Sequence, residues 1–419
     1  MNLSTEGKTT GLQGLQYWHK IVILLCLGWV IIWIYRPVLT AIFPEVQATI
    51  GTQSNAALGF IASCYFFAYT AMQIPAGILV DKFGQRAVLI PGFTLFVIAA
   101  IVVGSATNIQ MIYLGSVLAG LGCGSYYGSA YSLTAENIPS EHRGFATAII
   151  NTGSALGMGI SLIGTSVLVK TMNIPWSYML YIIAGLLVLM IIAFVIIIKP
   201  SDRTKVQAKN TTEATAVEAP KGTIAERFFS RRMIASYIMY FATCYAYYMI
   251  VSWLPNFLET ERGFEGASIG SASSIVAFTA IPGALIISKI SDKFNNKRIA
   301  FIVTLEILAA VMLLITIQAG TITMLLTGLV FYGLLGKLTV EPILISYVAD
   351  NASKTGYGTT FGVFNFFGMS SSVIAPPLTG LLADMTGTKI TGFYVAVAIL
   401  IIATLFFLFI NALERRKMA

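Results

Sequence analysis

Apolar residues fall along this chain in long runs interrupted by short polar breaks, without the alternation of a half-buried strand. Twelve runs cover about 21–43, 55–80, 87–107, 109–137, 144–169, 174–198, 233–258, 267–291, 299–318, 321–350, 358–383 and 389–411. About 20 apolar residues carry a helix across a hydrocarbon layer of roughly 30 Å, and each run is long enough. Strands of a membrane barrel would be half as long and alternate in polarity, a pattern absent here. The reading is an all-α integral membrane protein with twelve transmembrane helices.

The runs stop over 200–232. Ser201 to Gly222 mixes Lys, Asp, Thr, Glu, Ala and Pro without an apolar period, as a flexible connector does. Ile224 to Arg232 predicts a short basic amphipathic helix on the membrane surface. Residues 1–199 then form an N-terminal six-helix bundle, 200–232 a linker, and 233–419 a C-terminal six-helix bundle. The halves repeat one another. Asp81-Lys82-Phe83 recurs as Asp292-Lys293-Phe294, Ala135-Glu136-Asn137 as Ala349-Asp350-Asn351, and Asn151 as Asn365, at offsets of 211, 214 and 214 residues. A duplicated six-helix unit is the mark of a transporter with pseudo-symmetric bundles and a site near mid-membrane between them.

Only 11% of the residues are charged, too few to clothe a soluble surface of 419 residues. The net charge of +8 would suit a nucleic-acid partner if it were spread over a surface, but it is not. With both termini cytoplasmic, 21 of the 26 Lys and Arg fall on the inner side, and Lys170, Arg262 and Lys389 on the outer. That bias is the positive-inside rule, so the basicity reports orientation in a plasma or bacterial inner membrane and not nucleic-acid binding. Cys26, Cys64, Cys123 and Cys244 lie inside apolar runs without metal-ligand spacing and read as packing residues. His19 and His142 lie at membrane ends, and the polar first twenty residues carry no cleavage pattern, so the first span reads as retained.

The two remaining cations interrupt apolar runs: Arg36 in 21–43 and Lys337 in 321–350. A cation at the bilayer centre costs roughly 2.5–3.5 kcal/mol on insertion scales, so such residues face a cavity, a partner or an ionic substrate. One in each half points to a central site for a small anion.

Gly77-Ile78-Leu79-Val80-Asp81-Lys82-Phe83-Gly84-Gln85-Arg86 lies between the second and third runs. It closely resembles the G-x-L-x-D-x-x-G-x-R-[KR] signature of the major facilitator superfamily, with Ala87 in place of the last basic residue. Gly77 permits close helix approach and Gly84 a tight turn. Asp81 and Arg86, with Asp292 and Lys297 in the second copy, read as gating residues that tie helix ends when the inner gate closes. Pro139-Ser140-Glu141-His142-Arg143-Gly144, with Gly153 and Gly157 as a small-xxx-small pair, resembles the same superfamily. The resemblance covers about 20–412 and implies rocker-switch transport.

Arg36-Pro37-Val38-Leu39-Thr40 with Pro44, and Trp253-Leu254-Pro255-Asn256-Phe257-Leu258 before Arg262-Gly263, resemble the anion:cation symporter family. That resemblance implies uptake of organic anions with protons, and an anion-binding role for Arg36. The chain departs from the family at Ser116, where an arginine opens R-x-x-x-G-x-G, and at Cys123, where the coupling glutamate stands. The repeat maps Cys123 onto Lys337 and Tyr127 onto Glu341. Lys337 and Glu341 share a helix face at i,i+4. Two readings stay open: a pair that neutralises itself, or a proton-coupling Glu341 that releases Lys337 to a substrate carboxylate. Glu306 is a further intramembrane acid, in a span peripheral in the superfamily.

Tyr65, Tyr69, Tyr126, Tyr127, Tyr245, Tyr247 and Tyr248 cluster in three runs. Tyrosine offers a cavity both an apolar wall and a hydroxyl donor, though packing and interfacial roles compete at each position. Tyr35 points roughly 100° away from Arg36 on a helix. The substrate set is therefore Arg36, Lys337, Tyr65, Tyr127, Tyr248 and Asn365, the last between Phe364 and Phe366. No G-x-x-x-x-G-K-[ST], H-E-x-x-H or zinc spacing occurs, so neither enzyme, cofactor nor metal is expected. The expected activity is proton-coupled uptake of a small carboxylate by a monomer in the lipid bilayer. A proton-linked exporter and a proton-independent anion exchanger are the alternatives, and Ser116 counts against the exporter.

Overall fold

Proline and glycine decide where the helices stop. The computed structural model describes residues 16–139, 143–199, 229–294, 297–351 and 357–418, and their regular structure is helical throughout. The first helix, α1, runs Tyr17–Tyr35 with Arg36 as its C-cap. Pro37 has no N–H for the carbonyl of Trp33, and its ring crowds that carbonyl. The chain leaves through a 3₁₀ turn, Leu39–Ala41, and enters α2, Phe43–Ile50, with Pro44 in its first turn. The run read as one helix over 21–43 is thus broken, and Arg36 sits at a helix end.

The helices α3 (Asn55–Phe83), α4 (Gln85–Gly104), α5 (Ile109–Asn137), α6 (Arg143–Thr165) and α7 (Ser177–Ile197) complete the first half. A wide π turn, Ser166–Thr171, extends α6. The second half holds α8 (Arg231–Arg262), α9 (Ala267–Lys293), α10 (Arg298–Gln318), α11 (Ile322–Leu335), α12 (Lys337–Asn351), α13 (Tyr357–Thr386) and α14 (Ile390–Met418). The run at 321–350 is therefore two helices, broken at Gly336, whose backbone is extended (φ −79°, ψ −152°). The Thr339 hydroxyl donates to the Leu334 carbonyl at 2.7 Å, re-satisfying a group the break exposes. Lys337 becomes the first residue of α12.

Among the described residues eleven segments are long and apolar enough to cross a membrane, α11 and α12 counting together. The predicted span that falls short is α5, diluted by glycine and serine. Those small residues let backbones meet: a Cβ on Gly122 would lie 2.6 Å from the Gly92 carbonyl oxygen. Large apolar side chains point outward, with Ile74 77% and Ile196 75% exposed, which suits contact with hydrocarbon. The chain is a multi-pass membrane protein.

Helices α1 and α3–α7 pack into one bundle and α8–α14 into the other, joined chiefly where α3 meets α13 and α6 meets α9. The bundles seal at the end remote from the linker. There a Cβ on Gly59 would clash with the Pro376 carbonyl, and one on Gly380 with the carbonyl of Asn55. Ser63 Oγ donates across the bundles to the Val373 carbonyl at 2.6 Å, and within the second bundle Trp253 Nε1 donates to the Pro376 carbonyl at 2.9 Å. Asp384 caps α3 from the opposite bundle: Oδ1 accepts from the Asn55 N–H at 2.9 Å and its Nδ2 at 2.8 Å, and Oδ2 from the Ala56 N–H at 2.9 Å. Lys170, presented by the π turn and 4% exposed, bridges Glu45 at 2.7 Å and, across the bundles, Glu259 at 2.6 Å.

At the linker end, Gly84 takes φ +83° and turns the chain between α3 and α4. Arg86 Nη1 donates to the Ile198 carbonyl at 3.3 Å within the first bundle, and Lys297, exposed, precedes α10. Gly77 faces open space except toward Gly128, on which a Cβ would stand 3.6 Å from its Cα. The side chains of Asp81 and Asp292, the stretch 140–142 and most of the 200–232 linker lie outside the described part.

Candidate functional site

Arg36 ends α1 on the face that carries Trp29 and Trp33, seven and three residues earlier. Tyr65, Phe66 and Tyr69 approach it from α3. Five rings surround the guanidinium: Trp33 at 4.6 Å, Tyr69 at 4.8 Å, Phe66 at 5.4 Å, Tyr65 at 5.5 Å and Trp29 at 5.8 Å. Its Nε donates to the Tyr65 hydroxyl at 3.0 Å, and Nη2 lies 4.0 Å from Cys123 Sγ. Among the described residues no carboxylate forms an ion pair with it. Tyr35 turns away and packs edge-on against Phe96, with centroids 4.9 Å apart.

Lys337, 8% exposed, is held differently. Its Nζ donates to Glu341 Oε2 at 2.9 Å, as the i,i+4 spacing predicts, and lies 5.4 Å from the Tyr247 ring centre. The Tyr240 hydroxyl donates to the other oxygen, Glu341 Oε1, and the Tyr240 ring stacks on Phe364 at 4.0 Å. Each Glu341 oxygen therefore accepts one hydrogen bond.

Tyr247 and Tyr248 on α8 connect the two cations. The Tyr247 ring lies 6.3 Å from Trp33 and that of Tyr248 4.8 Å from Phe66, both walls of the arginine cage. Arg36 and Lys337 both act electrostatically on the two hydroxyls. Tyr127 is 39% exposed although it sits deep in α5 beside Trp29 and Tyr131, within electrostatic reach of Glu341. Its exposure beside Trp29, on the linker side of Arg36 and away from the seal, reads as a cleft between the bundles. A separate pocket on the sealed side takes Arg36, Tyr65 and Ser116 but neither Lys337, Tyr127, Tyr248 nor Asn365. Asn365 is not brought to either cation; its Nδ2 donates across the bundles to Gln73 Oε1 at 3.1 Å.

Of the ring cage, Tyr65 belongs to the substrate set read from the sequence and Tyr69, like Tyr247, only to the tyrosine cluster, while Trp29, Trp33, Phe66 and Tyr240 were not singled out. The Trp29–Trp33–Arg36 and Tyr65–Tyr69 spacings carry that signal, since each set shares one helix face. Glu306 on α10 is 1% exposed, without an ion-pair partner among the described residues, and contacts the Thr243 hydroxyl.

Apolar membrane-crossing helices in two bundles, joined at one end and holding one cation each in their interior, define a membrane transporter. The chain belongs to the Major Facilitator Superfamily, whose family model matches residues 21–376. It is a transporter and not an enzyme. It is 27% identical to a probable sulfoacetate transporter of Cupriavidus necator, with 94% of each chain covered. It is 24% identical to the hexuronate transporter of Bacillus subtilis, over 92% of each. The D-galactonate transporter of Escherichia coli is 21% identical, with 95% of this chain and 96% of that one covered. In fold the chain resembles a bacterial homologue of the human lysosomal transporter Spinster, inward-facing and occupied. The TM-score is 0.78 at 15% identity, over 95% of this chain and 98% of that one.

Proposed function

We propose that this protein takes up a small organic anion, a carboxylate, held between Arg36 and Lys337. The observation that carries the reading is the pair of interior cations, Lys337 buried and Arg36 half-buried, one from each bundle, on either side of Tyr247 and Tyr248. Tyr65, Tyr127 and Tyr248 orient the ligand, and Asn365 lines the path toward the cytoplasm. Relatives named for sulfoacetate, hexuronate and D-galactonate transport support an organic-acid substrate. Both termini and the 200–232 linker are cytoplasmic, in a plasma or bacterial inner membrane, and the bundles 1–199 and 233–419 of one monomer rock against each other. The seal remote from the linker then closes the outer side, and the cleft opens inward.

Uptake is coupled to protons through Glu341. Ionised, it holds Lys337 at 2.9 Å. Protonated, it loses the Coulomb attraction and frees Lys337 for a substrate carboxylate. Gly77, Asp81, Arg86, Asp292 and Lys297 belong to the inner gate that forms when the cleft closes. The test is uptake of labelled sugar acids and short carboxylates into proteoliposomes under an inwardly directed proton gradient. Arg36→Ala and Lys337→Ala should each abolish uptake in protein that remains folded. Uptake indifferent to both substitutions would refute the site. A gradient without effect on wild-type uptake would leave anion exchange, the reading in which Lys337 and Glu341 only neutralise each other.

A further inference from the structure

The charge between the bundles is unbalanced. Lys337 has an acid of its own, Glu341, at 2.9 Å, whereas the neighbours of Arg36 are five rings, a phenol oxygen and a thiol. Ring faces solvate a cation without neutralising it, so the cage leaves Arg36 with no counter-charge among the described residues. With Glu341 ionised the centre holds one net positive charge; once Glu341 is protonated it holds two. Lys337 also opens α12 just past the Gly336 break, and the free N–H groups of a helix start add roughly half a positive charge.

Resting on the anion-transport reading above, we propose that the ligand is a small aliphatic dianion. One anionic group binds Arg36 in the first bundle and the other binds Lys337 in the second, as Glu341 takes a proton. Two cations, two anionic groups and one proton on Glu341 bring the closed centre to neutrality. A monoanion reaches neutrality only with Glu341 ionised and Lys337 still engaged, so it binds Arg36 alone and takes up no proton. The groups facing Glu341 are Lys337, Tyr240, Cys244, Tyr247, Tyr127 and Tyr131, and Glu341 is the one carboxyl group among them.

The test is calorimetric binding of succinate and of 3-sulfopropionate to the purified full-length protein, against monomethyl succinate and butyrate as monoanions of matched length. The measurement is made in neutral and in mildly alkaline buffer, where succinate stays doubly charged. The dianions should bind about tenfold or more tightly than the monoanions, the scale on which buried charge pairs act. Their affinity should weaken on moving to alkaline buffer, while that of the monoanions should not. Glu341→Gln should keep the preference and lose its pH dependence. Lys337→Met with Glu341→Gln should bring the ratio near unity. Equal binding of succinate and its monoester, both lost in Arg36→Ala, overturns the dianion and leaves the anion reading standing. Binding of both that survives Arg36→Ala overturns the anion reading itself. Failure of all four compounds to bind overturns the small aliphatic dianion, and the sugar-acid uptake assay then decides the parent reading separately.

Discussion

Replacing Asp384 by alanine should unlatch the sealed end. The carboxylate accepts three N–H bonds from residues at the start of α3, in the opposite bundle. In a buried setting each charge-assisted bond is worth ~1.5–3 kcal/mol. Asp384 is exposed, however, and solvent screening reduces each to under ~1 kcal/mol, so the three together hold the closed end by about 1.5–2 kcal/mol. At ~1.4 kcal/mol per factor of ten, their loss moves the equilibrium about 10- to 30-fold toward the state open at that end. Spin labels at Thr107 and Ile322, exposed at that end in different bundles, report the change as a growing long-distance population in double electron–electron resonance. Asp384→Asn keeps one acceptor and loses the charge, so it should fall between wild type and alanine. Identical distance distributions in wild type and Asp384→Ala would show that glycine packing alone holds the seal.

Gly59→Leu drives a side chain into the Pro376 carbonyl and should trap the protein open at the same end, seen with the same label pair. Lys170→Ala leaves Glu45 and Glu259 facing each other without a cation and should open that end too, by about tenfold, with high salt narrowing the difference. Arg36→Lys keeps the charge but not the planar fork; it should cut uptake by about tenfold or more while thermal stability changes little. The Thr243 hydroxyl serves both the Met239 carbonyl, at 2.9 Å, and the buried Glu306, which has no ion-pair partner among the described residues. Glu306→Gln should then melt like wild type, and Glu306→Ala should lose about 1–3 kcal/mol in stability.

Apolar run length alone gives the spans, because hydrocarbon demands it. Spacing on a single helix carries the Lys337–Glu341 pair, and the positive φ of Gly84 fits the turn its motif predicts. The breaks beside Arg36 and before Lys337 were hidden, since Pro37 and Gly336 sit among residues apolar enough to pass for continuous helix. Contacts between distant residues were hidden too. Asn55 and Asp384 are 329 residues apart, and nothing local marks either as half of a latch. The guanidinium cage is intermediate: its tryptophans share a face with Arg36 on α1, but Tyr65, Phe66 and Tyr69 join them only because α3 packs alongside.

The seal remote from the linker is built from backbone lying directly on backbone, glycine against carbonyl at Gly59 and Gly380. At those two points the backbones leave no room between them for a thread of water, and so none for a wire along which hydronium could hop. Widening that seal by trimming Pro376 would turn a carrier into a leak before it altered what the carrier recognises.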